Sequence, residues 1–142
     1  MKKSSVKGQS LIEFALVLPL LILIGIGLFD IGRAFFTIIV VTNASREGAR
    51  YLVKNPGDKE LGFPDTKSAA RREALASGID INSSDVIVTC PGDVISCNRG
   101  SPVTVTVGQD FNLVFGIFNT GTLGFFNPGT LRLERTTQMR VP

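Results

Sequence analysis

The sequence predicts an α+β protein in which a long N-terminal helix precedes a small antiparallel sheet domain with one short helix. Two features lead to this prediction. An apolar run near the N-terminus continues into helical periodicity, and the second half of the chain alternates apolar and polar residues as strands do. We expect three parts: residues 1–8 as a short basic leader, residues 9–53 as a transmembrane and spine helix, and residues 54–142 as an extracytoplasmic α+β domain.

The long helix opens with an apolar run that carries one acid, Glu13. Sixteen residues without charge follow it, from Phe14 to Phe29. A carboxylate in hydrocarbon costs about 2.5 kcal/mol or more at mid-membrane, and no Lys or Arg lies in the run to pair with it. We therefore expect the partner of Glu13 to lie on another molecule.

Positive charges precede this run. Three lysines and the amino terminus should hold this end in the cytoplasm by the positive-inside rule, so that the residues after the helix lie outside. A secretory signal peptide would need a small-x-small cleavage site beyond its apolar core, and the nearest match, residues 25–27, lies within the run. A plain membrane anchor explains the hydrophobicity but gives no reason for Glu13.

The basic leader ending in glycine, the glutamate five residues later and the apolar helix resemble a type IV prepilin N-terminus. The resemblance is closest to the TadE-like family of pseudopilins from tight-adherence (Flp) pilus systems. It rests on residues 8–20 (GQSLIEFALVLPL), Gly32-Arg33 and residues 41–51 (VTNASREGARY). It covers about the first 53 residues closely, whereas the distal part resembles the family only in length and order of elements.

The resemblance implies that a prepilin peptidase cuts after Gly8 and leaves Gln9 as the mature amino terminus. Glycine suits this position because it lets the protease bind the backbone in an extended form. The cut exposes an amine four positions from Glu13. In a growing filament, Glu13 of one subunit would pair with the amine of its neighbour, since burying both charges costs less than burying the acid alone.

The function implied by the resemblance is that of a minor pilin-like (pseudopilin) subunit that takes part in pilus assembly and cell adhesion. Its partners would be other pilin subunits, a companion pseudopilin, the prepilin peptidase, the inner-membrane assembly platform and the membrane. It would cross the cytoplasmic (inner) membrane once, with the N-terminus inside, and then enter a surface pilus or the periplasm. The alternative is a bitopic membrane protein that keeps residues 1–8 and binds a ligand or partner through its outer domain.

Composition argues against other classes of protein. The chain has no histidine, which removes the commonest general base and the commonest neutral metal ligand. We therefore expect no enzyme, no catalytic residue, no metal and no cofactor. A net charge of +3, without a basic stripe interleaved with aromatic residues, gives no support for nucleic-acid binding.

Helical character continues beyond the apolar run. Asp30 and Arg33 stand one turn apart and can pair on one face. A further apolar stripe follows, made of Val41, Ala44, Gly48 and Leu52. Its two small members would let another element approach closely. The turn-forming cluster at residues 55–58 should end the helix near Val53.

The outer domain begins with a short helix. Asp65 should cap this helix, which should run through Ser77 with Gly78 as its stop. Strands are expected at residues 85–90, 103–107 and 131–139, in a three- or four-stranded antiparallel sheet that lies on the long helix.

Two of these strands carry more detailed expectations. In the second, three valines should point inward and two threonines outward, because their spacing has a period of two. In the third, Arg135 falls on the inward phase, which predicts a bulge or an exposed end of the sheet.

The two cysteines, Cys90 and Cys97, close a short loop around a Pro-Gly pair. Such spacing favours a disulfide in an oxidising compartment, with a pair of free thiols as the alternative. A zinc site would need two further ligands, and none is positioned nearby.

Residues 111–126 hold half of the ten phenylalanines. Core packing is one interpretation of this segment. The other is an exposed apolar surface that meets neighbouring subunits or the outer membrane leaflet.

Overall fold

The computed structural model describes residues 6–56, 62–91, 97–114 and 130–142. Its elements are α1 (Val6–Lys54), α2 (Pro64–Ala76), a short 3-10 turn (Ser83–Asp85), β1 (Val86–Thr89), β2 (Pro102–Phe111) and β3 (Leu131–Arg140). A long apolar helix, a short helix and a three-stranded antiparallel sheet confirm the predicted α+β class. Most of the phenylalanine-rich segment lies outside the described residues. Its first residue, Phe111, is a buried residue at the end of β2.

The chain divides into two compact units. One comprises Met1–Arg33 and Leu113–Gly129, and the other comprises Ala34–Asn112 and Thr130–Pro142. The first unit contains the apolar N-terminal part of α1. The second contains the C-terminal part of α1 together with α2 and the sheet.

The sheet has the order β1-β2-β3, and both pairings are antiparallel. The ladder between β2 and β3 is uninterrupted over all ten residues of each strand. Arg135 stands opposite Val107 within that ladder, so the bulge expected there is absent. The alternative expectation is correct, because β3 is an edge strand and leaves the Arg135 side chain exposed.

The core of the second unit lies between the valine face of β2 and the C-terminal part of α1. Val103, Val105 and Val107 are fully buried, while Thr104 and Thr106 are partly exposed, as their spacing predicted. Burial of three valines at about 25 cal/mol per Å² of apolar area is a main source of stability in so small a domain. The members contributed by α1 are Val40, Val41, Ala44, Ala49 and Leu52.

Gly48 is a point of very close packing between α1, α2 and the sheet. A Cβ atom at this position would lie 3.2 Å from Ala70 Cβ and 3.2 Å from Val105 Cγ1. Contacts this short are tighter than ordinary van der Waals distances between carbon atoms. The structure thus confirms the close approach predicted from the small residues of the apolar stripe.

Replacing Gly48 by valine is expected to lower the free energy of unfolding of this unit by about 2 kcal/mol, because the added methyl groups overpack the interface. Chemical denaturation of the full chain in detergent micelles, followed by circular dichroism, measures the change. Arg46→Val is the matched control, since it places the same side chain at an exposed position of the same helix. Equal stability of the two variants would contradict the packing role of Gly48.

One buried polar contact links α1 to β3. Ser45 is fully buried, and its hydroxyl donates to the carbonyl of Thr42 at 2.9 Å. The Ser45 Oγ atom also lies 2.7 Å from Thr137 Oγ1. Because the single Ser45 proton is already donated, Thr137 acts as the donor in this second bond. Burial of the hydroxyl is therefore compatible with a stable core.

The start of α2 differs from the sequence prediction. Phe63 precedes the helix in the left-handed conformation, with φ 56° and ψ 57°, and Pro64 opens the helix. Proline fits the first helical position because its missing N–H has no partner to lose there. Asp65 is therefore not the cap, and lies instead in the first turn, where the helix dipole favours a negative charge. Gly78 is the predicted stop, with φ 80°.

Arg132 spans the polar face of the sheet. Its guanidinium lies 2.7 Å from Glu134, 3.0 Å from Asp85 and 3.2 Å from Asp110. Gly108 leaves room for this side chain, because a Cβ atom there would lie 2.8 Å from Arg132 Nη2. Hydrogen bonds to Glu134 first, and then to Asp85, raise the pKa of Arg132 above its ordinary value. One permanently charged side chain of β3 thus connects β2 and the 3-10 turn that precedes β1.

Candidate functional site

The predicted processing site lies inside a helix. α1 begins at Val6, so the backbone of Gly8 and Gln9 is helical. A Cβ atom at Gly8 would meet nothing within 4 Å. Packing against the residues that the structure describes therefore does not require glycine at position 8.

Glu13 lies one turn after Gln9 on the exposed surface of α1. The Gln9 side-chain amide donates to Glu13 Oε1 at 3.3 Å, so the two side chains share a face of the helix. In the part of the chain that the structure describes, no Lys or Arg forms an ion pair with Glu13.

The surface around Glu13 is apolar. Leu11, Ile12, Phe14 and Leu16 are between 59% and 74% exposed. The helix segment Gly8–Lys54 is long and apolar enough to cross a membrane, and its most apolar stretch is not buried by any residue that the structure describes. Length, composition and exposure of this helix fit a membrane location.

Asp30 is the first residue after the apolar run. It is buried, with 3% of its surface exposed. The Arg33 guanidinium lies 3.4 Å from Asp30 Oδ1, which confirms the predicted pair. Arg33 also stands over the Phe29 ring at 5.9 Å, within the range of a cation–π contact. The backbone N–H of Val114 donates to the same Asp30 oxygen at 3.1 Å. Sequence reasoning missed this bond, because its two residues are 84 positions apart and share no local pattern.

Cys90 and Cys97 lie at disulfide distance, with 5.6 Å between their Cα atoms. This separation is in the usual range for a disulfide. Cys97 belongs to the buried core at 4% exposure. Its backbone N–H donates to the carbonyl of Pro56 at 3.3 Å, so the end of the cysteine loop is attached to the segment that follows α1.

Comparison with known protein families gives a match to the N-terminal part of the chain. Residues 8–50 match the family described as TadE-like protein. No curated protein and no solved structure matches the chain. The matched range contains Gly8, Gln9, Glu13 and the Asp30–Arg33 pair, and residues 51–142 lie beyond it. Residues 8–50 are thus similar to the TadE-like family, as the N-terminal motifs predicted.

Proposed function

We propose that this protein is a structural, minor pilin-like (pseudopilin) subunit of a tight-adherence or related type IV-like pilus. It is inserted in the cytoplasmic membrane with its N-terminus inside, processed by a prepilin peptidase, and joined there by other pilin subunits and a companion pseudopilin. The observation that carries the proposal is the position of Glu13, an exposed acid on an apolar helix surface within the TadE-like segment.

Cleavage between Gly8 and Gln9 creates a positively charged amine that can serve as the ion-pair partner of Glu13. The Gln9 side chain already reaches Glu13 in the uncut chain, so the new amine arises one helical turn from the acid. Extraction of a subunit from the membrane removes the new amine from the polar headgroups. Pairing of Glu13 with the amine of a neighbouring subunit then lowers the cost of holding each charge in an apolar environment.

Processing also requires a change in the helix. A protease binds its substrate in an extended form, whereas Gly8 and Gln9 are helical here. The first turn of a helix is its easiest part to open, because its leading N–H groups have no partners within the helix. Two residues of α1 precede Gly8, so local unwinding at the N-terminus is enough to expose the scissile bond.

Intact-mass measurement of the protein purified from its native host tests the proposal. The expected mass is that of a chain starting at Gln9, with or without an added methyl group. In a host that lacks the prepilin peptidase, the expected mass is that of the chain with residues 1–8 attached. A full-length mass in both hosts would overturn the proposal and would favour a bitopic binding protein.

A pair of glycine variants sharpens this test. Gly8→Ala is expected to lower the processed fraction, while Gly25→Ala is expected to leave it unchanged. An added Cβ atom meets nothing within 4 Å at either position. A selective effect at Gly8 therefore reports the needs of the peptidase and not a disturbed fold.

A further inference from the structure

We propose that Leu113 and Val114 form a second contact with the bilayer, held at the depth of the lipid headgroups by Asp30. This inference rests on the proposed membrane span of α1. Asp30, Leu113 and Val114 all belong to the first compact unit. Leu113 and Val114 follow shortly after the end of β2.

The depth of Asp30 follows from the length of the apolar run. Residues 11–29 span about 28 Å at 1.5 Å per residue, close to the roughly 30 Å of hydrocarbon in a bilayer. Asp30 comes directly after this run and carries the first charge beyond Glu13. When α1 spans the membrane, Asp30 therefore lies at the far boundary of the hydrocarbon.

The hydrogen bond at Asp30 brings a distant segment to the same boundary. The Val114 N–H group donates to Asp30 Oδ1 at 3.1 Å, across 84 residues of sequence. A bond to an ionised carboxylate is stronger than one between neutral groups. Since Asp30 is 3% exposed and also pairs with Arg33, its charge is stabilised within the protein and is not presented to lipid.

The two residues held by Asp30 suit a lipid partner. Both are apolar, and Leu113 is 38% exposed. Phe29 and Ile31, which flank Asp30 on α1, are 61% and 54% exposed, so the helix at this level already presents apolar side chains outward. Apolar side chains gain free energy at the boundary between headgroups and acyl chains. The lipid contact of Leu113 thus continues that of the helix beside it.

Tryptophan fluorescence tests this contact, because the chain contains no tryptophan. Full-length Leu113→Trp protein is reconstituted in vesicles of phosphatidylcholine and phosphatidylglycerol that contain lipids brominated close to the headgroup. The emission of the Leu113→Trp protein is expected to be blue-shifted and to lose most of its intensity. Ile87→Trp, at a half-exposed position of β1, is expected to keep its intensity.

A third reporter separates this inference from the proposed span. Phe29→Trp is expected to be quenched because it lies on the helix at the membrane boundary. Quenching of Phe29→Trp without quenching of Leu113→Trp would overturn the second contact and leave the span intact. Loss of quenching at Phe29→Trp would instead overturn the span. A third outcome is a blue-shifted Leu113→Trp emission that the brominated lipid does not quench and that depends on the protein-to-lipid ratio. This result would overturn the lipid contact and would assign the surface to a second copy of the chain.

The role of Asp30 is tested in the Leu113→Trp background. Asp30→Asn keeps an oxygen that accepts the Val114 N–H bond and is expected to retain the quenching. Asp30→Ala removes the acceptor and is expected to restore intensity toward that of Ile87→Trp. Full quenching in Asp30→Ala would show that Asp30 does not hold the segment.

Discussion

Replacing Glu13 by alanine is expected to abolish incorporation of the protein into pili while its amount in the membrane stays unchanged. The variant leaves the amine of a neighbouring subunit in an apolar environment without its partner. Removal of one member of a buried ion pair costs about 3–5 kcal/mol, which corresponds to roughly a hundredfold or more in an association equilibrium. Immunoblots of sheared pili and of the membrane fraction measure the two quantities separately.

Two further variants define what Glu13 contributes. Glu13→Gln keeps the shape and the hydrogen-bonding oxygen but removes the charge, and is expected to be as defective as alanine. Glu47→Ala removes an acid that is paired with Arg50 farther along the same helix, and is expected to assemble normally. Normal incorporation of Glu13→Ala would contradict the proposed pairing.

Loss of the disulfide in the double variant Cys90→Ser/Cys97→Ser is expected to lower the free energy of unfolding of the second compact unit by about 2.5 kcal/mol. The loss arises mainly because the unfolded chain regains the freedom of the short loop. The buried position of Cys97 adds the cost of placing a hydroxyl in an apolar core. Denaturation of the full chain in detergent micelles, with and without a reductant, measures the change.

The wild-type chain supplies the control for this prediction. Treatment with a reductant is expected to lower its stability toward that of the double variant, which stays lower because of the buried serine hydroxyl, while the double variant itself is expected not to respond. A count of free thiols in the unreduced protein should give none. Two reactive thiols in protein purified from its native compartment would show that the pair is reduced there.

Elements with a strong local period were predictable from the sequence. The uncharged run and the stripe on α1 define a long helix, which ends one residue beyond the expected Val53. The alternating valines of β2 define a half-buried strand, because side chains on a strand point alternately to its two faces. The close packing at Gly48 was also predictable, because a small residue on an apolar helix stripe lets another element approach closely when it packs on that stripe.

Features that depend on tertiary contacts were not predictable. Of the two outcomes expected at Arg135, a bulge or an exposed position, the structure shows the exposed position, because β3 is an edge strand. The expected cap at Asp65 is replaced by the start at Pro64, whose fixed backbone angle favours the first helical position. The bonds of Ser45 to Thr137 and of Asp30 to Val114 join residues far apart in sequence. No local pattern marks such pairs.

The leader lysines also affect the stability of the helix, because Gly8 lies in the first turns of α1. The N-terminus of a helix carries a partial positive charge, which acids stabilise and bases destabilise. The first turn of α1 contains no acidic residue, and the leader brings three lysines to this end. The lysines that are expected to hold the leader on the cytoplasmic side therefore also weaken the helix around the proposed cleavage point. If the proposed cleavage takes place, this fraying makes the bond between Gly8 and Gln9 easier to reach, and an acid introduced into the leader is expected to slow the cleavage.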